Sequence, residues 1–129
     1  MNTLDKYSEL GGRILLALIF VMAGLNKIGG YEGTQGYMES AGVPGALLPL
    51  VILLEAGGGI ALVLGLLTRW AALGLAIFSV AAAVMFHGDF GDQMQMIMFM
   101  KNLGLAGGLL ILFSRGAGPI SLDARFGWR

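Results

Sequence analysis

Six polar residues that could do chemistry stand inside long apolar runs of the sequence or at the ends of such runs: Asn26, Lys27, Glu55, His87, Lys101 and Asn102. An ionisable group in apolar surroundings is costly, and a carboxylate that meets an ammonium group there offsets part of that cost. We therefore expect Glu55 and Lys101, which interrupt two different runs, to form a pair. This pair would be catalytic, exchanging a proton and stabilising an anion, or it would be a structural ion pair between two helices.

The other four polar residues are predicted to bind a ligand beside this pair. Asn26 and Lys27 end one apolar run, His87 ends another, and Asn102 follows directly on Lys101. If the runs are antiparallel helices, every run brings at least one polar group to the same end of the bundle. The sequence therefore predicts one polar cluster at that end and no comparable cluster at the other.

Glycine and alanine recur through the apolar runs at helical spacing, as at Gly57, Ala61 and Gly65. Small residues of this kind allow close helix packing in membranes, or they leave room for a flat ligand between helices. Under the second interpretation Gly58 would line the ligand site. Arg13 has Glu9 four residues before it, which predicts an exposed pair that anchors the first helix at the membrane surface.

A metal centre built by this chain is not expected. The sequence has no cysteine and a single histidine, and the spacing of His87 to Asp89 and Asp92 matches no recognised metal motif. Methionines occupy every second position from Met94 to Met100, which places them on two helix faces and favours apolar filling over Cu(I) binding. No nucleophile with an adjacent base and no phosphate-binding glycine loop is found.

The amino-acid composition indicates the class of protein and the secondary-structure elements that carry these polar residues. Hydrophobic residues make up 57% of the 129 and charged residues 12%, the mean hydropathy is +0.80, and the net charge is zero. These values exclude a disordered chain, give no footprint for nucleic acid and favour a membrane protein. A membrane helix needs about 20 apolar residues. We predict an all-α, membrane-embedded four-helix bundle forming one domain over residues 1–129, with helices at about 10–28, 47–67, 70–86 and 95–113.

The charge distribution predicts the orientation of this bundle. Six basic residues lie on the side of the two termini, and only Lys27 lies on the other, which follows the positive-inside rule with both termini cytoplasmic. The first run has no small-residue cleavage site after it, so we expect a retained helix and not a signal peptide. Between the first two runs, Tyr37, Met38 and Ala41 fit one face of a short interfacial helix.

Ten stretches of the chain, taken in order, resemble the DoxX family of small bacterial inner-membrane proteins. They are Arg13–Leu15, Ala23–Gly24 with Lys27, Gly30–Tyr31, Gly33–Gln35, Tyr37–Glu39, Gly42–Gly45, Leu48–Glu55, Gly57–Gly59, Gly65 with Thr68–Arg69, and Phe99–Leu103. This resemblance implies four transmembrane helices and an inner-membrane location. Relatives have been linked to subunits of quinol oxidase or thiosulfate:quinone oxidoreductase and to oxidative-stress complexes. The family offers no well-established catalytic residues to transfer.

Three functions remain open at this stage. The first is a quinone- or quinol-linked oxidoreductase component, with quinone as its cofactor and other redox subunits as partners. The second is a non-enzymatic membrane scaffold or assembly factor for a redox or stress-response complex. A transporter is the third, weaker because four short helices enclose a small cavity unless a homo-oligomer enlarges it. Membrane lipid is an expected partner in every case.

Overall fold

The computed structural model describes residues 2–128. Four helical segments in it are long and apolar enough to span a membrane, as predicted: Thr3–Gly29, Gly45–Leu64, Thr68–Phe86 and Gln93–Arg115. The first, third and fourth are the continuous helices α1, α5 and α6. The second span is composite, with a 3₁₀ turn at Gly45–Leu47, α3 at Leu48–Ile52, a π-helical turn at Leu53–Gly57 and α4 at Gly58–Leu64. Two short helices, α2 (Tyr31–Ser40) and α7 (Leu122–Arg125), complete the fold.

The ends of the first two spans differ from the prediction because local capping, and not hydropathy, sets them. Helix α1 begins at Thr3 because the Asn2 side chain accepts a hydrogen bond from the Asp5 backbone amide at 2.8 Å. The second span ends at Leu64 because Gly65 takes a left-handed conformation (φ +68°), which glycine adopts at no steric cost. These caps start α1 seven residues earlier than predicted and end the second span three residues earlier.

The spans pack pairwise through small residues. Helices α5 and α6 form the most extensive contact, and the buried face of α5 carries Ala72, Ala76, Ser79 and Ala83. Helix α1 lies against the second span. It approaches closely there because a Cβ on Gly24 would lie 2.7 Å from the Ala56 Cβ atom.

Not every glycine of the sequence serves helix packing. Gly59 packs tightly on α1, where a Cβ would lie 2.7 Å from Val21. Gly104 and Gly107 of α6 are both exposed, and a Cβ added to either would have no atom of residues 2–128 within 4 Å outside its own helix turn. The packing role predicted for the glycines is therefore confirmed for Gly59 and wrong for Gly104 within this chain.

The outward faces of the spans are apolar. Leu15 on α1, Ile77 and Val84 on α5, and Ile111 on α6 are each more than 60% exposed. An apolar surface this extensive is stable in lipid, where leucine is as well solvated as the lipid tails themselves. The structure thus places the hydrophobic excess of the composition on the lipid-facing surface as well as in the core.

We call the end of the bundle that carries both termini the terminal side and the other end the opposite side. On the terminal side, Arg13 is only 2% exposed. Its guanidinium donates hydrogen bonds to the backbone carbonyls of Ala117 (2.6 Å), Ile120 (3.0 Å) and Val63 (3.4 Å). The predicted surface anchor is therefore wrong. Glu9, its expected partner, instead lies 3.5 Å from Arg115 Nε.

A second buried group on the terminal side, Asp123, joins the segment after α6 to the start of α5. Its carboxylate accepts hydrogen bonds from the backbone amides of Leu67 (2.7 Å) and Thr68 (2.9 Å). Its own amide donates to the Gly65 carbonyl at 2.9 Å. The terminal side therefore does contain a buried polar cluster, contrary to the prediction. Arg129, one of the six basic residues counted in the sequence, lies outside the described residues.

Candidate functional site

A cavity of about 420 Å³ occupies the half of the bundle toward the opposite side. All four spans line it, and α2 lies across its end through Thr34, Tyr37 and Met38. The helix predicted from Tyr37, Met38 and Ala41 is thus present as α2. The Tyr37 ring stacks on Phe86 of α5, with ring centroids 5.4 Å apart, which ties α2 to the bundle. The cavity walls are mainly aliphatic and aromatic.

The only ion pair that lines this cavity, among residues 2–128, joins Lys27 to Glu55. Lys27 Nζ lies 2.6 Å from Glu55 Oε1, and the two side chains are 27% and 5% exposed. Lys27 stands in the last turn of α1, and Glu55 lies at the centre of the π-helical turn of the second span. A π turn inserts one residue into a helix and is often found at functional sites.

This pairing corrects the partner expected from the sequence. Glu55 was predicted to contact Lys101, but Lys101 exerts only a longer-range electrostatic attraction on it. The Lys101 amine lies 3.9 Å from Met98 Sδ on its own helix. The physical reason is geometric: Lys27 ends α1, which packs directly on the π turn, whereas α6 contacts the second span far less. Lys101 still lines the same cavity.

Asn102 brings an unused hydrogen-bonding group to the cavity. It is 9% exposed, lines the cavity, and makes no side-chain hydrogen bond with any of residues 2–128. A buried amide without a partner loses the hydrogen bonds it would make in water, which costs about 1–3 kcal/mol. Water or a bound molecule that supplies those bonds removes this cost, so Asn102 is a candidate contact for a ligand in the cavity.

His87 lies at the end of α5, where the helix turns away from the cavity. Its Nδ1 atom donates a hydrogen bond to Oε1 of Gln95 on α6 at 2.9 Å. The ring lines the cavity and is half-buried. In the part of the chain that is described, no three His, Cys, Asp or Glu side chains come together where they could hold a metal ion.

Two of the predicted ligand-binding residues lie outside the cavity lining. Asn26 is exposed near the end of α1, one residue before Lys27, and its backbone carbonyl accepts from Gly30. Gly58 faces Leu75, whose side chain would lie 3.2 Å from an added Cβ. No glycine lines the cavity within the described chain. The idea that glycines make room for a flat ligand is therefore wrong, since the space lies between side chains.

The sequence pattern did not reveal the aromatic walls of the site. Phe20, Phe78 and Phe86 line the cavity together with Ser79, whose hydroxyl donates to the Leu75 carbonyl at 2.8 Å. No signal in the sequence singles out these phenylalanines, because aromatic residues on apolar helices equally well face lipid. In the sequence, Ser79 is recognisable only as one of the small residues on the packing face of α5.

The cavity can hold a flat, largely apolar molecule that carries a hydrogen-bond acceptor. Its volume falls within the range of about 300–1,000 Å³ that is usual for small-molecule sites. The amines of Lys27 and Lys101 and the unpartnered Asn102 amide supply donors, and Glu55 supplies an acceptor beside Lys27. A quinone ring, with a carbonyl oxygen at each end, is compatible with this combination of donors and apolar walls.

Comparison with known proteins places the chain among bacterial membrane proteins. It is 50% identical to inner membrane protein YqjF of Escherichia coli over 123 residues, covering 95% of both chains. It is 37% identical to inner membrane protein YphA of the same organism, covering 97% of this chain and all of the relative. A shorter match, 33% identical over 69 residues and about half of each chain, is to "Putative oxidoreductase CatD" of Bacillus subtilis.

No solved structure matches the chain significantly. The family model for DoxX matches residues 9–88, which include most of α1 together with α2, the second span and α5. This region contributes Lys27, Glu55 and His87 to the cavity, while Lys101 and Asn102 lie beyond it. The resemblance noted in the sequence is thereby confirmed: the chain belongs to the DoxX family and is an integral inner-membrane protein.

Proposed function

We propose that this protein is a quinone- or quinol-linked component of a membrane oxidoreductase and that the cavity is its quinone site. The observation that carries the proposal is the Lys27–Glu55 ion pair in a mainly apolar cavity that the unpartnered Asn102 amide also lines. The match to "Putative oxidoreductase CatD", over half of each chain, gives weaker support in the same direction.

In this proposal each polar residue has a separate task. Lys101 and Asn102 donate hydrogen bonds to a ring oxygen and hold the ring between Phe78 and Phe86. Glu55 exchanges a proton with the second oxygen, and Lys27 holds the Glu55 carboxylate in place at 2.6 Å. When bound, a quinone would take up two electrons from a partner's redox centre and two protons, one through Glu55 and one from water.

We place the electron source in a partner subunit that carries its own redox centre, since this chain has no cysteine and one histidine. With both termini in the cytoplasm, as the basic residues predict, the cavity would lie in the periplasmic half of the membrane. Glu55 would then exchange protons with the periplasmic side, past α2 and His87.

The direct test is to purify the protein in a mild detergent and to extract and identify the bound lipids. We expect copurified quinone, and an increase in the melting temperature when ubiquinone or menaquinone is added, because a ligand that binds only the folded state stabilises it. Glu55→Gln should weaken this stabilisation, whereas Glu32→Gln, an exposed carboxylate of α2, should not. Absence of quinone from the preparation together with an unchanged melting temperature would refute the proposal.

A second candidate function is a non-enzymatic scaffold or assembly factor for a redox or stress-response complex. The observation that favours it is a shallow apolar groove between α5 and α6, lined by Ala76, Ile77, Val80, Ala81, Ala106 and Leu110. Small residues in such a groove suit a transmembrane helix of a partner. Val80→Trp, at an exposed position of this groove, should then reduce capture of partners by crosslinking in native membranes while leaving quinone binding intact.

A further inference from the structure

Two lysines and one carboxylate line the cavity. They are Lys27, Glu55 and Lys101, and the first two form an ion pair. Within residues 2–128 no carboxylate lies within ion-pair distance of the Lys101 amine, whose one polar contact is Met98 Sδ at 3.9 Å. Lys101, an exposed residue at the edge of this lining, is therefore a cation with no anion of its own among those residues.

Asn102 provides an independent second observation at the same place. It follows Lys101 on α6, it is nine-tenths buried, and its amide has no hydrogen-bond partner among the described residues. An ammonium group and an amide N–H that converge on one oxygen form charge-assisted hydrogen bonds, which are about twice as strong as neutral ones. A negatively charged oxygen would accept hydrogen bonds from both residues. These bonds would be stronger than the ones that a neutral carbonyl oxygen accepts.

The other residues that line the cavity indicate the chemistry of the rest of the ligand. Apart from the polar residues already named, the lining is mostly aliphatic and aromatic, and α2 closes its end toward the opposite side through the Tyr37–Phe86 stack. A small hydrophilic anion such as phosphate would find no partners on these walls. The ligand that matches them has an apolar body and one acidic group.

We infer that the cavity binds an amphiphile with a single negative charge, whose acidic group is held by Lys101 and Asn102 and whose apolar body lies against the aromatic walls. Such binding needs no electron transfer, so the inference goes beyond the proposed redox function and is tested apart from it. A single-chain carboxylate and an anionic phospholipid headgroup share this chemistry.

The experiment measures the affinity of three ten-carbon probes for the full chain in nanodiscs of neutral phosphatidylcholine. The probes are decanoate, decanol and decyltrimethylammonium, which differ in the charge of the head group. We expect decanoate to bind at least about tenfold more tightly than decanol, the effect of one or two charge-assisted hydrogen bonds. Decyltrimethylammonium should bind most weakly. Equal affinities for decanoate and decanol would overturn the inference.

Variants then assign the preference to Lys101. Lys101→Gln should remove the preference for decanoate, Lys101→Arg should keep most of it, and Asn102→Ala should reduce it. Lys6→Gln, the same substitution on the terminal side, is the matched control and should leave the preference unchanged. If Lys101→Gln still binds decanoate more tightly than decanol, the acidic group binds elsewhere and the assignment to Lys101 is overturned. If Lys101→Gln does not fold, Asn102→Ala decides the same point.

The source of the anion is distinguished by changing the lipid. If the natural ligand is a lipid headgroup, replacing part of the phosphatidylcholine by phosphatidylglycerol should displace decanoate in the unmodified protein and not in Lys101→Gln. If it is a single-chain acid, phosphatidylglycerol should leave decanoate binding unchanged. Addition of a quinone in the same assay separates the two proposals, because decanoate binding without quinone binding would refute only the redox function.

Discussion

Lys27 and Glu55 form an ion pair with 2.6 Å between Nζ and Oε1, at the point where the last turn of α1 meets the π turn of the second span. The pair both fixes these two helices and forms one wall of the cavity. A carboxylate that is 5% exposed inside a membrane bundle is tolerated because an ammonium group lies directly against it. Structure and candidate function therefore depend on the same contact.

Breaking this pair should destabilise the protein more than removing it. Lys27→Met alone should lower the free energy of unfolding by about 3–5 kcal/mol, because it leaves the buried Glu55 carboxylate without its partner. Glu55→Leu alone should lower it by less, because the Lys27 side chain is 27% exposed. The double variant should recover most of that loss. The measurement is a double-mutant cycle of detergent-induced unfolding. Additive losses in the double variant would contradict a direct pair.

Arg13 should hold the segment after α6 against the bundle. Arg13→Ala removes three hydrogen bonds to the carbonyls of Val63, Ala117 and Ile120, and we expect a loss of roughly 3 kcal/mol or more. Arg13→Lys should rescue little, since one ammonium group does not reproduce the spread of the guanidinium donors. Tryptic cleavage at Arg125 should become faster in both variants. Lys6→Ala is the control, and equal cleavage rates would disprove the role.

Asp123 should stabilise the start of α5 as a cap supplied by a distant segment. Its carboxylate accepts from the amides of Leu67 and Thr68, so Asp123→Ala should cost about 0.5–2 kcal/mol. Asp123→Asn keeps one acceptor oxygen and should lose about half as much. Hydrogen exchange of the first turn of α5 is the direct measurement. Unchanged protection there in Asp123→Ala would show that the cap is dispensable.

The glycines should separate into those that pack helices and those that do not. Gly24→Ala places a methyl group 2.7 Å from Ala56 Cβ and should lower stability by about 1–3 kcal/mol through helix separation. In Gly104→Ala the added methyl group has no atom of another turn or helix within 4 Å among the described residues. This variant should leave the stability of the protein unchanged or raise it slightly. Thermal unfolding of the two variants makes the comparison, and equal effects would refute the packing assignment.

Filling the cavity should abolish ligand binding without unfolding the protein. Ala82 lines the cavity, and Ala82→Phe would occupy part of its 420 Å³. We expect loss of quinone-dependent stabilisation at an unchanged or higher melting temperature, because an apolar side chain replaces empty space. Val84→Phe on the lipid-facing side of the same helix is the matched control. Retained quinone binding in Ala82→Phe would argue that the quinone binds elsewhere.

The polar residues at the ends of the apolar runs could be recognised from the sequence, because an ionisable group in a membrane segment is conspicuous by its type alone. Lys27, Glu55, His87, Lys101 and Asn102 all line one cavity, as their common end of the bundle predicted. Which of the two lysines pairs with Glu55 could not be predicted in the same way. Lys27 and Lys101 are the same residue type at the same end of the bundle, and only the contact of α1 with the π turn selects Lys27.

On the terminal side, the burial of two charged residues could not be predicted from the sequence. Arg13 and Asp123 lie 110 positions apart, Arg13 near the start of the first apolar run and Asp123 beyond the last run, where charged residues are ordinarily solvated, so nothing in their local patterns indicates burial. Both are 2% exposed because the segment after α6 folds back over the turn at Gly65. That return is set by backbone conformations at Gly65, Gly116 and Gly118, which no hydropathy pattern records.

The sequence by itself determined the membrane class, the number of spans and the end of the bundle where polar groups collect. Those properties follow from composition and from the distance that a helix must cross, and each can be counted along the chain. Tertiary structure alone decided the partner of Glu55, the cavity with its aromatic walls, and the burial of Arg13 and Asp123. Contacts between helices depend on which faces meet, and that choice belongs to the packing of the whole chain.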